Sequence, residues 1–367
     1  MAVVLAPDLS VSKLCLGTMT FGEQNSYSES AKLLSIATQA GINFFDTAEM
    51  YPVPQRAQTH GKSEVYLGRW IRESNIARDK IVIATKVAGP SGQMTWIRGG
   101  PHSLDKNNIK AAIDTSLQRL CLDHIDLYQI HWPDRYTPMF GEVDYDPSRR
   151  IKAVPVDEQL QALSDAVDAG KIRYIGVSNE TPYGLMEFCR ASRGNRLPRV
   201  LSIQNAYSLL CRTFDYGLAE CCHHESINLL AYSPLAMGLL TAKYLEDGGG
   251  PADARLNLYK GRYTEAECRY DLGKPNLLPA VKVRTFRIFF QTISFQAYVE
   301  ISKNYGITPV ELAIGFVLRH PLVASAVIGA TKDYQLMDIV KAAAITLTDE
   351  MVEEIDAVHS RFPNPAP

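Results

Sequence analysis

Eight short runs of β-branched and apolar residues recur along this chain. Each is followed by a stretch with helical spacing, and the alternation continues almost to the C-terminus. The first run is Leu14, Cys15 and Leu16 ahead of Gly17. A helix is expected from about Ser28, with Leu33, Ile36, Ala37 and Ala40 on one face and Gly41 closing it. Strands two to four are expected over residues 43–47, 81–87 and 125–132. Ile109, Ala112, Ile113, Leu117 and Leu120 mark a helix between the last two. Asp157 is expected to cap a helix built on Leu160, Leu163 and Val167 and stopped at Gly170. Residues 172–177, 200–205, 229–233 and 324–329 complete the strands. Such an unbroken series predicts an α/β chain folded as one (β/α)8 TIM barrel over residues 1–367 rather than a doubly wound sheet. Residues 3–14, turning at Pro7 and Asp8, read as a hairpin beneath the barrel. Thr348, Asp349 and Glu350 open an extra C-terminal helix carrying Met351, Val352, Ile355 and Val358.

Charge and hydropathy narrow the partners. The net charge is -2, with no block of like charges, so nothing suggests nucleic acid or an anionic membrane as a partner. The longest apolar runs are a handful of residues, far short of the roughly 20 that a bilayer helix needs, and a soluble protein is expected. The cysteine count, 7, is odd and scattered, which suits reduced thiols rather than a disulfide framework. No targeting segment is visible, so the cytoplasm is the expected location, or a plastid were a transit peptide to precede this sequence. The oligomeric state is not legible.

Two stretches interrupt the rhythm. Residues 134–155, rich in Pro, Gly and Tyr, follow strand four and are expected to form a substrate loop. Residues 237–279 follow strand seven, with a hinge at Gly248, Gly249, Gly250 and Pro251.

Barrel enzymes take their catalytic groups from the C-terminal ends of several strands. Here those ends carry Asp46, with Tyr51 just beyond, Lys86 and His131. An Asp–Lys pair beside a phenol is expected to lower the tyrosine pKa and let Tyr51 exchange a proton near neutral pH. His131 would polarise the same oxygen, a set suited to carbonyl reduction. Singly, each residue is as well read as a salt bridge or a structural histidine, and it is their combination that carries weight. No G-x-G-x-x-G follows any strand, which disfavours a Rossmann dehydrogenase. Cys221, Cys222, His223 and His224 are consecutive on an expected helix. Their side chains point round the cylinder, so no metal site is expected there.

The runs Leu16-Gly17-Thr18-Met19-Thr20-Phe21-Gly22, Phe45-Asp46-Thr47-Ala48-Glu49-Met50-Tyr51, Ile125-Asp126-Leu127-Tyr128-Gln129-Ile130-His131-Trp132-Pro133 and Ile175-Gly176-Val177-Ser178-Asn179 resemble the aldo-keto reductase superfamily, in particular its Tas-like branch. The resemblance implies an NADP(H)-dependent reductase of small carbonyl substrates, with Tyr51 as general acid, Asp46 and Lys86 tuning it, His131 orienting the carbonyl and Trp132 lining the substrate site. It further implies that Ser178, Asn179 and Gln204 hold the nicotinamide carboxamide, that Tyr232 stacks on the ring, and that Gly17, Thr18 and Met19 line the same pocket. Ser233, Pro234, Leu235 and Gly238 would meet the pyrophosphate, with Lys243 and Arg255 clamped over it. Gly329, Thr331, Gln335 and Asp338 would meet the adenosine. Ile339 departs from the family pattern, standing where an Asn usually contacts adenine. A 2'-phosphate needs cations, which Lys243, Arg255 and Lys332 can supply, favouring NADP(H) over NAD(H). The family also resembles potassium-channel beta subunits, so a cofactor-sensing regulatory subunit on the same barrel is the rival expectation.

Residues 283–296 do not fit the pattern. The run Arg287-Ile288-Phe289-Phe290-Gln291-Thr292-Ile293-Ser294-Phe295 is hydrophobic and β-prone where its flanks read as one helix, and removing it in thought brings Val281 to helical spacing with Tyr298 and Val299. The segment reads as an insertion. Its Val start and Gln end suit in-frame retention of a very short intron, a hypothesis that a peptide wholly inside it, found in the native source, would overturn.

Overall fold

The computed structural model describes residues 2–100, 103–139, 142–149, 151–195, 197–245, 249–259, 270 and 297–366. The 283–296 segment and the helical spacing expected at 279–282 lie outside them. A hairpin of β1 (Ala2–Ala6) and β2 (Leu9–Ser12) precedes a closed barrel. Its staves are β3 (Leu14–Gly17), β4 (Phe44–Asp46), β5 (Val82–Val87), β6 (Ile125–Ile130), β7 (Ile172–Ser178), β8 (Val200–Ala206), β9 (Asn228–Tyr232) and β10 (Val323–Ile328). All pair in parallel, β10 closing on β3, and the eight strands fall where the apolar runs place them.

Local chemistry sets the helix boundaries. Ser26 and Glu29 form a capping box at the start of α1 (Tyr27–Gln39), and, beyond α2 (Lys62–Ser74), Asp105 accepts from the backbone N–H groups of Asn107 and Asn108 at the start of α3 (Lys106–Leu120). One expectation is corrected: Asp157 does not cap its helix. Helix α4 (Val156–Asp168) begins after Pro155, whose restricted φ suits helix entry, so Asp157 lies in the first turn, where its charge still complements the helix dipole. The C-terminal helix Asp349–Arg361 is capped by Thr348, as its sequence suggests.

Strand alternation sorts the barrel interior into layers. At the hairpin end, Phe44, Val82, Ala84, Leu127 and Leu230 pack against Leu9 and Val11 of β2, which plug the barrel floor. Full burial of each of the Phe, Val and Leu side chains contributes roughly 1.5–3 kcal/mol. Two residues further along the same strands, the inward positions become Asp46, Lys86, Gln129 and Tyr232. The floor is therefore apolar and closed, and polar side chains gather at the C-terminal rim. No helix among the described residues is long and apolar enough to cross a membrane.

Candidate active site

Beneath the rim, the fully buried Lys86 Nζ donates to Asp46 Oδ1 at 2.5 Å and to the Thr47 carbonyl at 2.8 Å. The other Asp46 oxygen accepts from Gln129 Nε2 at 3.1 Å and from Gln204 Nε2 at 2.9 Å. Every polar atom of the ion pair's carboxylate is thus engaged, which fixes its geometry. Burial pulls the Lys86 ammonium down, but Asp46 and Tyr51 outweigh it and hold its pKa above 10.5, so the lysine stays charged.

Tyr51 lies above this pair, with Lys86 Nζ 5.0 Å from its ring centroid. Its phenol does not follow the sequence expectation of a lowered pKa. Burial raises it above 10, Lys86 pulls it back, and Asp46 adds to the rise, so the net direction is upward. His131 meets Tyr51 edge to face, with ring centroids 5.5 Å apart. Burial, and then the Lys86 charge, push the imidazole pKa well below 6.5, so His131 is neutral at physiological pH. Its Nδ1 is buried with no hydrogen-bond partner.

These groups open into a cavity of about 750 Å³. Of the remaining expected residues, the structure brings Gly17, Met19, Trp132, Ser178, Asn179, Gln204, Tyr232, Ser233, Pro234, Leu235, Gly238, Lys243, Arg255, Gly329, Thr331, Gln335 and Asp338 to its wall. Thr18 is the exception. The chain turns back after Gly17, burying Thr18 so that its hydroxyl donates to the Asp46 carbonyl at 3.1 Å and faces away from the cavity. Ile339 also reaches the wall, and it packs into the core.

Rigid hydrogen bonds hold the cavity wall beyond the reacting end. Asn179 Nδ2 donates to the His131 carbonyl at 2.9 Å, while Asn179 Oδ1 accepts from the Tyr232 hydroxyl at 2.7 Å. Ser178 donates to the Gln204 carbonyl at 2.7 Å. After β9, Ser233, Ala236, Met237 and Gly238 all take positive φ. The glycine matters at 238, where a Cβ would stand 2.6 Å from Lys243 Cε, and its absence lets the lysine approach. Burial and the nearby Arg255 lower the Lys243 pKa. Neither cation forms an ion pair among the described residues, and Asp253 on the same wall relieves their mutual repulsion only in part.

Residues missed in the sequence are informative. Gln129 lies on the same inward alternation as Leu127 and His131, a period-2 signal that could have revealed it. Glu49, fully buried, accepts from the Ala88 N–H at 2.6 Å and from Arg98, tying the Tyr51 segment to the loop after β5. The expected substrate loop does contribute, through Met139, and its base is clamped by Asp134 accepting from the Val154 N–H at 2.7 Å. Beyond α5 (Pro182–Asn195), in helix α6 (Leu218–Glu225), Cys222 is buried while His223 and His224 face solvent with their rings edge to face, so the buried thiol and the two imidazoles do not converge.

Comparison with known proteins matches residues 13–360 to the model of the aldo/keto reductase family. Protein tas of Escherichia coli (strain K12) is 43% identical over 359 residues, spanning 98% of this chain and 97% of its own. A probable voltage-gated potassium channel subunit beta of Oryza sativa subsp. japonica is 30% identical over 360 residues, spanning 95% and 93%. L-glyceraldehyde 3-phosphate reductase of Escherichia coli (strain K12) is 28% identical over 354 residues, spanning 95% and 89%.

Proposed function

The chain belongs to the aldo/keto reductase family, and from that membership we propose that it is an NADP(H)-dependent reductase converting aldehyde and ketone carbonyls to alcohols. The observation that carries this reading is the buried Asp46–Lys86 pair set directly beneath Tyr51, with His131 alongside, at the mouth of a cavity large enough for a dinucleotide and a small substrate. When bound, the reduced nicotinamide supplies a hydride to the carbonyl carbon. The chain's own residues do the rest. The neutral His131 donates a hydrogen bond to the carbonyl oxygen and orients it. Tyr51 is protonated, because burial holds its pKa high, and it delivers its proton to the oxygen as negative charge develops there. The Lys86 ammonium stabilises the phenolate left behind, and Asp46, with Gln129 and Gln204, holds the lysine in place.

The cavity suits an anionic dinucleotide. Lys243 and Arg255 lie at its β9 side without an ion pair among the described residues, and Lys332, loosely paired to Asp253 at 3.9 Å, adds a third cation, so that the positive charges there outnumber the nearby Asp253. This excess favours NADP(H) over NAD(H). Ser178, Asn179 and Tyr232 would hold and face the nicotinamide. Gly329, Thr331, Gln335 and Asp338 would meet the adenosine.

The test is loss of NADPH absorbance with a panel of small aldehydes, comparing wild type with Tyr51→Phe. We expect wild-type turnover, at least about 100-fold loss in Tyr51→Phe, and unchanged NADPH binding in both. The relative named as a potassium channel subunit beta supports a second reading, a cofactor-sensing regulatory subunit. Tight NADPH binding by wild type without turnover of any aldehyde would favour it.

A further inference from the structure

The cavity is sorted by charge. The cations Lys243, Arg255 and Lys332 all lie on its β9 and β10 side. On the side of Tyr51 and Trp132 the wall is hydrocarbon and thioether: Met19, Met50, Met94, Met139 and Met237 cluster around Trp132. These are five of the chain's 9 methionines, a concentration that core packing elsewhere does not require. The tryptophan itself is fixed. Its Nε1 donates to the Pro90 carbonyl at 2.9 Å, and its ring lies where a Cβ on Gly89 would come within 2.5 Å.

Among the described residues, no cation lines this side of the cavity. The arginines on the bordering loops are each committed to a carboxylate: Arg56 to Glu23 at 2.6 Å, Arg98 to Glu49, and Arg135 to Glu180 through two hydrogen bonds of 2.9 and 2.7 Å. The one acid lining it, Asp46, is held by Lys86. The neutral polar groups there are amides and a hydroxyl, Gln55, Gln93 and Ser91. An anionic substituent entering this end would lose water and find no counter-charge on the wall that the described residues form.

Resting on the reductase reading above, we propose that the substrates are uncharged, apolar carbonyl compounds, such as aromatic or branched hydrocarbon aldehydes and ketones, and that sugar phosphates and oxo acids are rejected. The reaction is balanced by the reduced dinucleotide: a C–H bond forms with its hydride, an O–H bond forms with the Tyr51 proton, and the dinucleotide is oxidised. Flexible, polarisable methionine walls repack around different shapes, so discrimination falls on charge rather than outline.

The test measures kcat/KM of the full chain with NADPH for two matched pairs, benzaldehyde against 4-carboxybenzaldehyde and glyceraldehyde against glyceraldehyde 3-phosphate. We expect the neutral member to be favoured by about 10-fold or more in each pair. In Met139→Lys, with a cation placed on the wall, we expect the preference to narrow by about 10-fold. Equal or better turnover of the anionic members by wild type overturns the proposal. Should wild type bind NADPH and reduce none of the four, the reductase reading fails separately. Calorimetric binding of benzaldehyde and 4-carboxybenzaldehyde to the NADPH-loaded protein then decides the charge preference. Tighter binding of benzaldehyde supports it, and equal or weaker binding overturns it.

Discussion

Tyr51 is held between opposing influences. Burial and Asp46 raise its pKa while Lys86 lowers it, and the net effect leaves a phenol that keeps its proton throughout the physiological range. On the proposed reductase reading that sign matters: reduction needs the protonated form, so kcat should stay level past the ordinary tyrosine value of about 10 and fall only above it, as the proton is lost. His131 imposes no break near pH 6.5, because it is already neutral well below that value. Lys86→Met removes the one influence that makes the phenol a better acid. We expect kcat to drop by about 10²–10⁴-fold and the alkaline limb to move further up. A pH–rate profile of the variant checks both, and an unchanged kcat would remove Lys86 from the proton path. Three of the four residues that the structure gathers here were legible, because period-2 alternation and the barrel's C-terminal rim pick out Asp46, Lys86 and His131 without any contact information. The pKa direction of Tyr51 was not, since it depends on how completely the surrounding loops exclude water.

Between elements, the working parts are joined by buried ion pairs that no periodicity announces. Glu49, two residues before Tyr51, reaches across to the Ala88 N–H and to Arg98, while Arg98 Nε also donates to Asn108 Oδ1 at 3.0 Å in α3. This bracket fixes the loop after β4 against the loop after β5, which carries Met94. Burial raises the Glu49 carboxyl above 4.5 even with Arg98 beside it. Arg98→Met would strand that carboxylate, costing about 3–5 kcal/mol in urea unfolding. Pairing it with Glu49→Gln should recover a large part, because the uncompensated charge is then gone. A double variant no better than Arg98→Met would mean that packing, not charge, is what the bracket supplies. The strands and the Thr348 cap could be read from local sequence, since each depends on neighbours within a few residues, although the same reasoning misplaced the cap of α4 at Asp157. Glu49–Arg98 and Arg135–Glu180 join positions about fifty residues apart, and only the closed barrel brings them together.

For the molecule as a whole, three histidines among the described residues couple the fold to pH. His131, His60 and His359 are all depressed below 6.5, in each case first by burial, so the native state leaves them neutral where the unfolded chain protonates them. Above about pH 6.5 both states are unprotonated and these groups have no effect. As pH falls below it the unfolded state binds protons first and stability is lost, by up to about 1.4 kcal/mol per pH unit for a fully buried histidine. His131 should dominate, being the most depressed, whereas His60 and His359 are partly screened by solvent. Urea unfolding between pH 5 and 8 should therefore show a plateau from about pH 7 upward and a decline beneath it. His131→Asn, which cannot titrate in this range, should flatten the decline while lowering kcat. On the proposed reading, NADPH would add stability by mass action, about 2.7 kcal/mol at 100 times its Kd. In wild type that increment shifts the whole curve upward, and any dependence of the increment itself on pH reports proton uptake at the site on binding. A decline of unchanged steepness in His131→Asn would mean that the acid sensitivity comes from groups other than the one beside Tyr51.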